Sequence, residues 1–175
     1  PGRSIAAEQA WVTRSNQNAQ LLLAVEAKYS PESASSLGVE GYDEAISDFS
    51  RDDYEPMRTD MRKVITELRA RAAKETDARV RQDLAILQQS AEDELTTARL
   101  DRKYFIPFYN LAGMVFGVAR ETIDPRIPLQ KQQALLVRLD KYTGAAKGYR
   151  PVSELAKERT LERIKADATL QGPFV

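Results

Sequence analysis

Apolar positions recur along most of this chain with the period of a helix, and the places where the period fails mark the joints. From Asp53 to about Ala73, Met57, Met61, Val64, Ile65, Leu68 and Ala72 follow one another at steps of four, three, one, three and four. That spacing places them on one stripe of an amphipathic helix. Thr76 and Asp77 break the pattern and recap the chain, after which Val80, Leu84, Leu87, Ala91, Leu95 and Ala98 resume it through a second long helix. A joint this short predicts an antiparallel hairpin, with the charge-rich middle of the chain on its outer faces.

The remaining segments divide in the same way. Residues 4–29 predict a first helix with Trp11, Ala19, Leu22 and Leu23 near one face, Trp11 serving as core or as an interface anchor. Ser30 and Pro31 have the cap and first-turn proline of a short helix over residues 31–37, and Gly38 stands where a left-handed stop is wanted. Residues 38–43 (Gly-Val-Glu-Gly-Tyr-Asp) form the clearest loop of the first half. Residues 124–128, bounded by Pro125 and Pro128, predict a turn before a helix reaching Tyr142, with Leu135, Leu136, Leu139 and Tyr142 on one side. A loop over 144–151 then precedes a last helix from Val152 to about Leu170 through Leu155, Ala156, Ile164 and Ala168. No pair of segments reads as strands, so the expected class is all-α, a bundle of about six or seven helices in one domain spanning residues 1–175.

The segment from Tyr104 to Ile123 stands apart, because its first 16 positions carry no charge and it holds five of the 13 aromatic residues. Such a segment predicts a central apolar helix near residues 105–123, covered nearly all round. Pro107 fits a first helical turn, and the Gly113-x-x-x-Gly117 spacing would let another helix come close. A membrane span needs about 20 apolar residues, so this uncharged stretch predicts no span. No apolar stretch behind a basic start at the amino end reads as a targeting signal.

Composition narrows the chemistry. The 26 basic and 26 acidic side chains cancel, so no global field steers the chain to nucleic acid or an anionic membrane. Cysteine and histidine are both absent, which removes disulfides, thiolate metal sites, thiol nucleophiles and the usual base of a serine nucleophile. The eight glycines form neither a dinucleotide fingerprint nor a phosphate-binding loop. The carboxylate runs at Asp52, Asp53 and Glu55 and at Glu92, Asp93 and Glu94 point in different directions around a helix, so neither predicts a metal cage. No catalytic residue, metal ligand or resident cofactor is therefore expected in this chain. Tyr104, Tyr109 and Asn110 are the candidate substrate-binding residues, since polar ends on an apolar segment can orient a ligand. Bonding to the protein's own backbone is the competing reading.

The run Leu37-Gly38-Val39-Glu40-Gly41-Tyr42-Asp43 comes first, followed by Val80 to Leu84 with Ile86 and Leu87, and then by Tyr104, Pro107, Tyr109 and Asn110. Arg138 and Leu139 follow with Tyr142 and Gly144, then Gly148-Tyr149-Arg150-Pro151, then Ala156 with Arg159. In order and spacing these resemble the amino-terminal region of the bacterial family called domain of unknown function 885. Members of that family are longer, mainly helical and often exported or lipid-anchored. Their carboxy-terminal part carries a zinc-binding HExx-Pro-Gly-His helix of metallopeptidase type, and that motif does not occur in this sequence. The resemblance thus implies a non-catalytic helical domain that scaffolds and walls the cleft of a zinc-dependent peptidase-like hydrolase. Its implied partners are the carboxy-terminal part of the same protein and a peptide substrate, with zinc held elsewhere. The implied setting is the periplasm or cell envelope, with the cytoplasm as the alternative. A free-standing helical protein-interaction module is the competing expectation.

Overall fold

The computed structural model describes residues 5–170 and 172, with side chains from residue 10 onward. Seven helices and no sheet are found among the described residues. They are α1 (Ile5–Tyr29), α2 (Pro31–Ser36), α3 (Tyr54–Lys74), α4 (Ala78–Tyr104), α5 (Leu111–Thr122), α6 (Leu129–Thr143) and α7 (Val152–Ala166). The all-α multi-helix bundle read from periodicity is what the chain forms. It comprises two compact units, Pro1–Glu26 with Asp53–Arg99 and Ala27–Asp52 with Leu100–Val175.

The first unit is built on the stripes of α3 and α4. Met61 and Leu68 on α3, and Val80, Leu84 and Ala91 on α4, are completely buried, with Val64 and Ile65 close behind. The joint between the helices is capped by carboxylates. Glu75 Oε1 accepts the amides of Thr76 and Asp77, and Asp77 Oδ1 accepts the amide of Arg79 at 3.0 Å, satisfying a donor that the helix start leaves over. The Arg79 side chain bonded to Asp77 holds that carboxyl down to about 2. The same guanidinium lies 4.8 Å from the centre of the Trp11 ring, a cation–π contact that ties α1 to the joint. Asn18 of α1 is buried and accepts from Arg71 Nη1 at 3.0 Å.

The second unit is organised differently. Its core gathers Phe49, Val118, Leu135, Tyr142, Val152 and Ala156 from a loop and three helices, with Tyr109, Leu111, Met114 and Leu139 packed around them. Around that core, α6 holds the extended chain between α2 and residue 50 by side-chain bonds to backbone. Lys131 Nζ donates to the Ser35 carbonyl and pairs with Asp43, both at 3.3 Å. Arg138 Nη2 donates to the Tyr42 carbonyl at 2.6 Å, and Lys141 Nζ to the Glu44 carbonyl at 2.7 Å. The buried Tyr142 hydroxyl donates to Glu32 Oε1 at 3.0 Å, and the Glu32 carboxylate also accepts the amide and hydroxyl of Ser47. Burial and the neighbouring Glu32 charge push the Tyr142 phenol well above its ordinary value.

Two glycines do what their positions require. At the end of α2, Val39 N–H reaches the Ala34 carbonyl and Gly38 N–H the Ser35 carbonyl, a Schellman stop with Gly38 at φ +79°. Gly144 ends α6 at φ +77°, where a side chain would meet Pro151 Cδ at 2.7 Å.

The structure differs from the periodicity at three places. α4 runs on to Tyr104, residues 105–110 are irregular, and α5 begins only at Leu111. The segment is thus not one helix covered all round. α5 buries Val118 while Phe116 on the opposite face is 70% exposed. Pro107 bars a continuous α4–α5 helix by lacking the N–H that an interior turn needs, and Asn110 restarts the helix by capping it. On α6, Leu136 is exposed and Arg138 buried, because α6 turns its cations toward the 35–44 backbone. α7 stops at Ala166, with Val152 and Ala156 inside and Ile164 exposed.

Candidate functional site

The three residues singled out for ligand contact part ways in the structure. Asn110 is the N-cap of α5, its Oδ1 accepting the Gly113 amide at 3.0 Å, so its polar end is used by the backbone. Gly113 is needed there for space, because a Cβ would sit 2.6 Å from the Asn110 amide nitrogen. Tyr104 closes α4 as an exposed residue, its ring 4.8 Å from the Lys103 ammonium. Tyr109 alone reaches the core, its ring meeting the Phe49 ring edge-on at 5.2 Å and 82°. Burial, with the Asp52 charge adding to it, pushes its phenol above the usual value, against the opposing pull of Arg159 and Arg102.

Phe49 leads to a concavity of the second unit. A cavity of about 390 Å³ lies between residues 46–50 and residues 148–150, with Leu155 of α7 completing its wall. Ile46, Phe49 and Leu155 give it an apolar floor, and Phe49 is fixed from behind by Tyr109. Charges of both signs stand at the rim. Asp48 accepts the amide and hydroxyl of Ser50, which hold its carboxyl below the ordinary value. Arg150 on the facing loop pairs with Glu158 at 2.6 Å and Glu154 at 3.3 Å, all three half exposed. Tyr149 lies beside it with the Lys141 ammonium 5.5 Å from its ring centre. Neither Phe49 nor Asp48 stood out in the sequence, since an isolated aromatic in an irregular stretch carries no period. Tyr149 and Arg150 did stand out, as part of the resemblance to a known family, but without a role.

A second, larger hollow of about 670 Å³ is lined by Glu40, Asp43 and Glu44 against Pro128, Gln130, Lys131 and Ala134. Lys131 already neutralises Asp43 there. The zinc that the resemblance implies does not fit this chain, because no histidine or cysteine exists to hold it. Among the described residues no three carboxylates converge either.

The other conspicuous surface is apolar. Phe116 and Ile123 lie seven residues apart on one face of α5 and its cap and are 70% and 81% exposed. Leu129 and Leu136 repeat that spacing on α6, at 68% and 51%. Gly117, which the spacing offered as a helix-contact residue, has nothing within 4 Å of where a Cβ would be, so its approach lies open. No helix is long and apolar enough to cross a membrane among the described residues.

No protein-family model, no curated protein and no solved structure matches the chain.

Proposed function

We propose that this protein is a non-catalytic helical domain that serves as scaffold and cleft wall for a peptidase-like hydrolase, docking through the outer faces of α5 and α6. One observation carries the reading: four large apolar side chains, Phe116, Ile123, Leu129 and Leu136, are each more than half exposed on two helices that pack together. Exposed apolar side chains that gather into one patch mark an interaction site. The occupant is the catalytic part of the same polypeptide, as the family resemblance implies, in an exported cell-envelope setting. A chain without imidazole or thiol lacks the usual zinc ligands and the usual base of a serine nucleophile, which favours a contribution of shape.

The test begins with the coding sequence beyond Val175, which on this reading encodes a HExx-type helix. The domain and that downstream part, produced separately, are expected to form a one-to-one complex in size-exclusion chromatography with light scattering. Phe116→Ser with Ile123→Ser and Leu129→Ser should abolish the complex while leaving helicity unchanged, because surface substitutions cost within about 0.5 kcal/mol each. The domain alone should cleave no peptide. A complex that survives the triple substitution overturns the docking face. A gene that stops at Val175 replaces the hydrolase with a separate partner and makes the domain a free-standing interaction module.

A further inference from the structure

The cavity above Phe49 has a chemistry of its own, independent of what covers α5 and α6. We propose that it is a binding site for a free amino acid with an apolar side chain, such as leucine or phenylalanine. Its volume of about 390 Å³ falls within the range of small-ligand sites. The floor of Ile46, Phe49 and Leu155 matches a branched or aromatic side chain, and the Tyr109 ring edge holds Phe49 in place before any ligand arrives. A preformed apolar seat of this kind needs little reorganisation on binding.

The rim supplies what distinguishes an amino acid from other apolar molecules. Asp48 on one loop and Arg150 on the other place opposite charges on two sides of the same floor. Asp48 carries its charge at neutral pH because Ser50 bonds its carboxylate form, and Arg150 is always charged. An α-ammonium would seat on Asp48 and an α-carboxylate on Arg150, each a charge-assisted contact. Arg150 now shares its guanidinium with Glu154 and Glu158, and Asp48 Oδ2 pairs with Arg51 at 3.2 Å, but these pairs are about half exposed and exchange readily for the charged ends of a ligand. Gly148 leaves the mouth open, since nothing lies within 4 Å of where its Cβ would stand. A mid-chain peptide segment lacks both terminal charges, and an inorganic anion lacks the apolar body. The free amino acid meets all three features.

The experiment is a titration of the full chain with L-leucine and L-phenylalanine, followed by calorimetry and by amide shifts of residues 46–50 and 148–150. Saturable one-to-one binding is expected, with N-acetyl-L-leucine and L-leucinamide each weakened about ten-fold or more by loss of one charged contact. Glycine, which keeps both charges but has no side chain for the floor, should show no saturation at about 10 mM. Arg150→Gln and Asp48→Asn should each weaken leucine about ten-fold with helicity unchanged, since both side chains are about half exposed and Asn keeps an acceptor for the Ser50 amide. Three outcomes would overturn the assignment. One is no saturable binding of either amino acid. Another is equal affinity for leucine, its N-acetyl form and its amide, which would make the cavity a plain apolar pit. The third is undiminished binding by both charge variants. None of these bears on the docking face of α5 and α6, whose residues lie outside the cavity.

Discussion

The two units solve the same problem by different means. In the first, α3 has 21 residues and α4 has 27, and their completely buried side chains repeat with the helical period, so stability rests on apolar stripes. In the second, the helices between residues 111 and 166 are 12 to 15 residues long, too short to be stable without tertiary support. Their framework depends on polar side chains of α6 reaching the backbone of a loop far away in sequence. Long periodic helices leave little irregular surface on which to build a pocket, whereas loops pinned by side chains create one. The cavity above Phe49 and the open apolar faces both belong to the second unit.

Core truncation gives the largest expected effect and tests the contrast directly. Leu68→Ala removes a completely buried side chain from the stripe of α3 and should cost about 3–5 kcal/mol in denaturant unfolding. Leu135→Ala, buried to nearly the same degree in a core gathered from a loop and three short helices, should fall at the lower end, about 2–3 kcal/mol, if the loop and short helices relax into the space. Equal losses at the two positions would remove the distinction drawn here.

A smaller effect is expected at the polar pins. Tyr142→Phe deletes the hydroxyl that donates to Glu32 and should cost about 1–2 kcal/mol. Glu32 keeps its bonds from Ser47, so the change should loosen residues 43–50 more than the helices. Hydrogen exchange at the Ser47 amide, which Glu32 holds at 2.9 Å, is the local readout. Faster exchange there with α3 and α4 amides unchanged is the expected pattern, and uniform acceleration would show that the pin serves the whole chain.

The same contrast explains what could be read in advance. The stripes of α3 and α4, the Asp77 recap and the Gly38 stop follow from local rules, since period, cap and left-handed φ are properties of neighbouring residues. Arg138 was legible only as part of the family resemblance, without a role. Its burial depends on the Tyr42 carbonyl, 96 residues away in sequence, and no spacing rule reaches that far. Arg138 Nε has no partner in that buried place, a cost that an apolar residue would not carry. Of the candidate site, Tyr109 was found because a polar aromatic in an uncharged run is conspicuous. Its neighbour Phe49 was not, because the segment carrying it has no regular structure to give it a face. Asn110 was read as a ligand-orienting amide, and a residue of that type before an apolar run is equally a helix cap, a bond that its Oδ1 makes.

The smallest predicted effect lies in the first unit and runs against its apolar economy. Glu94 of α4 is partly buried near Glu26 of α1, and burial first, then the Glu26 charge, raises its carboxyl above 4.5. In the window between 4.5 and that raised value the folded chain binds more protons than the unfolded one. Stability from this group therefore falls as pH climbs through the window, and the penalty is complete above it and absent below 4.5. Glu94→Gln removes the penalty. Because Glu94 is only partly buried, solvent screening limits the gain to about 0.5 kcal/mol or less at pH 7. Thermal unfolding of the variant should exceed that of the parent slightly at neutral pH, and the two curves should converge by about pH 4. A gain that persists unchanged into acid would mean that the glutamine packs better for reasons of shape, and that the two carboxylates do not feel each other.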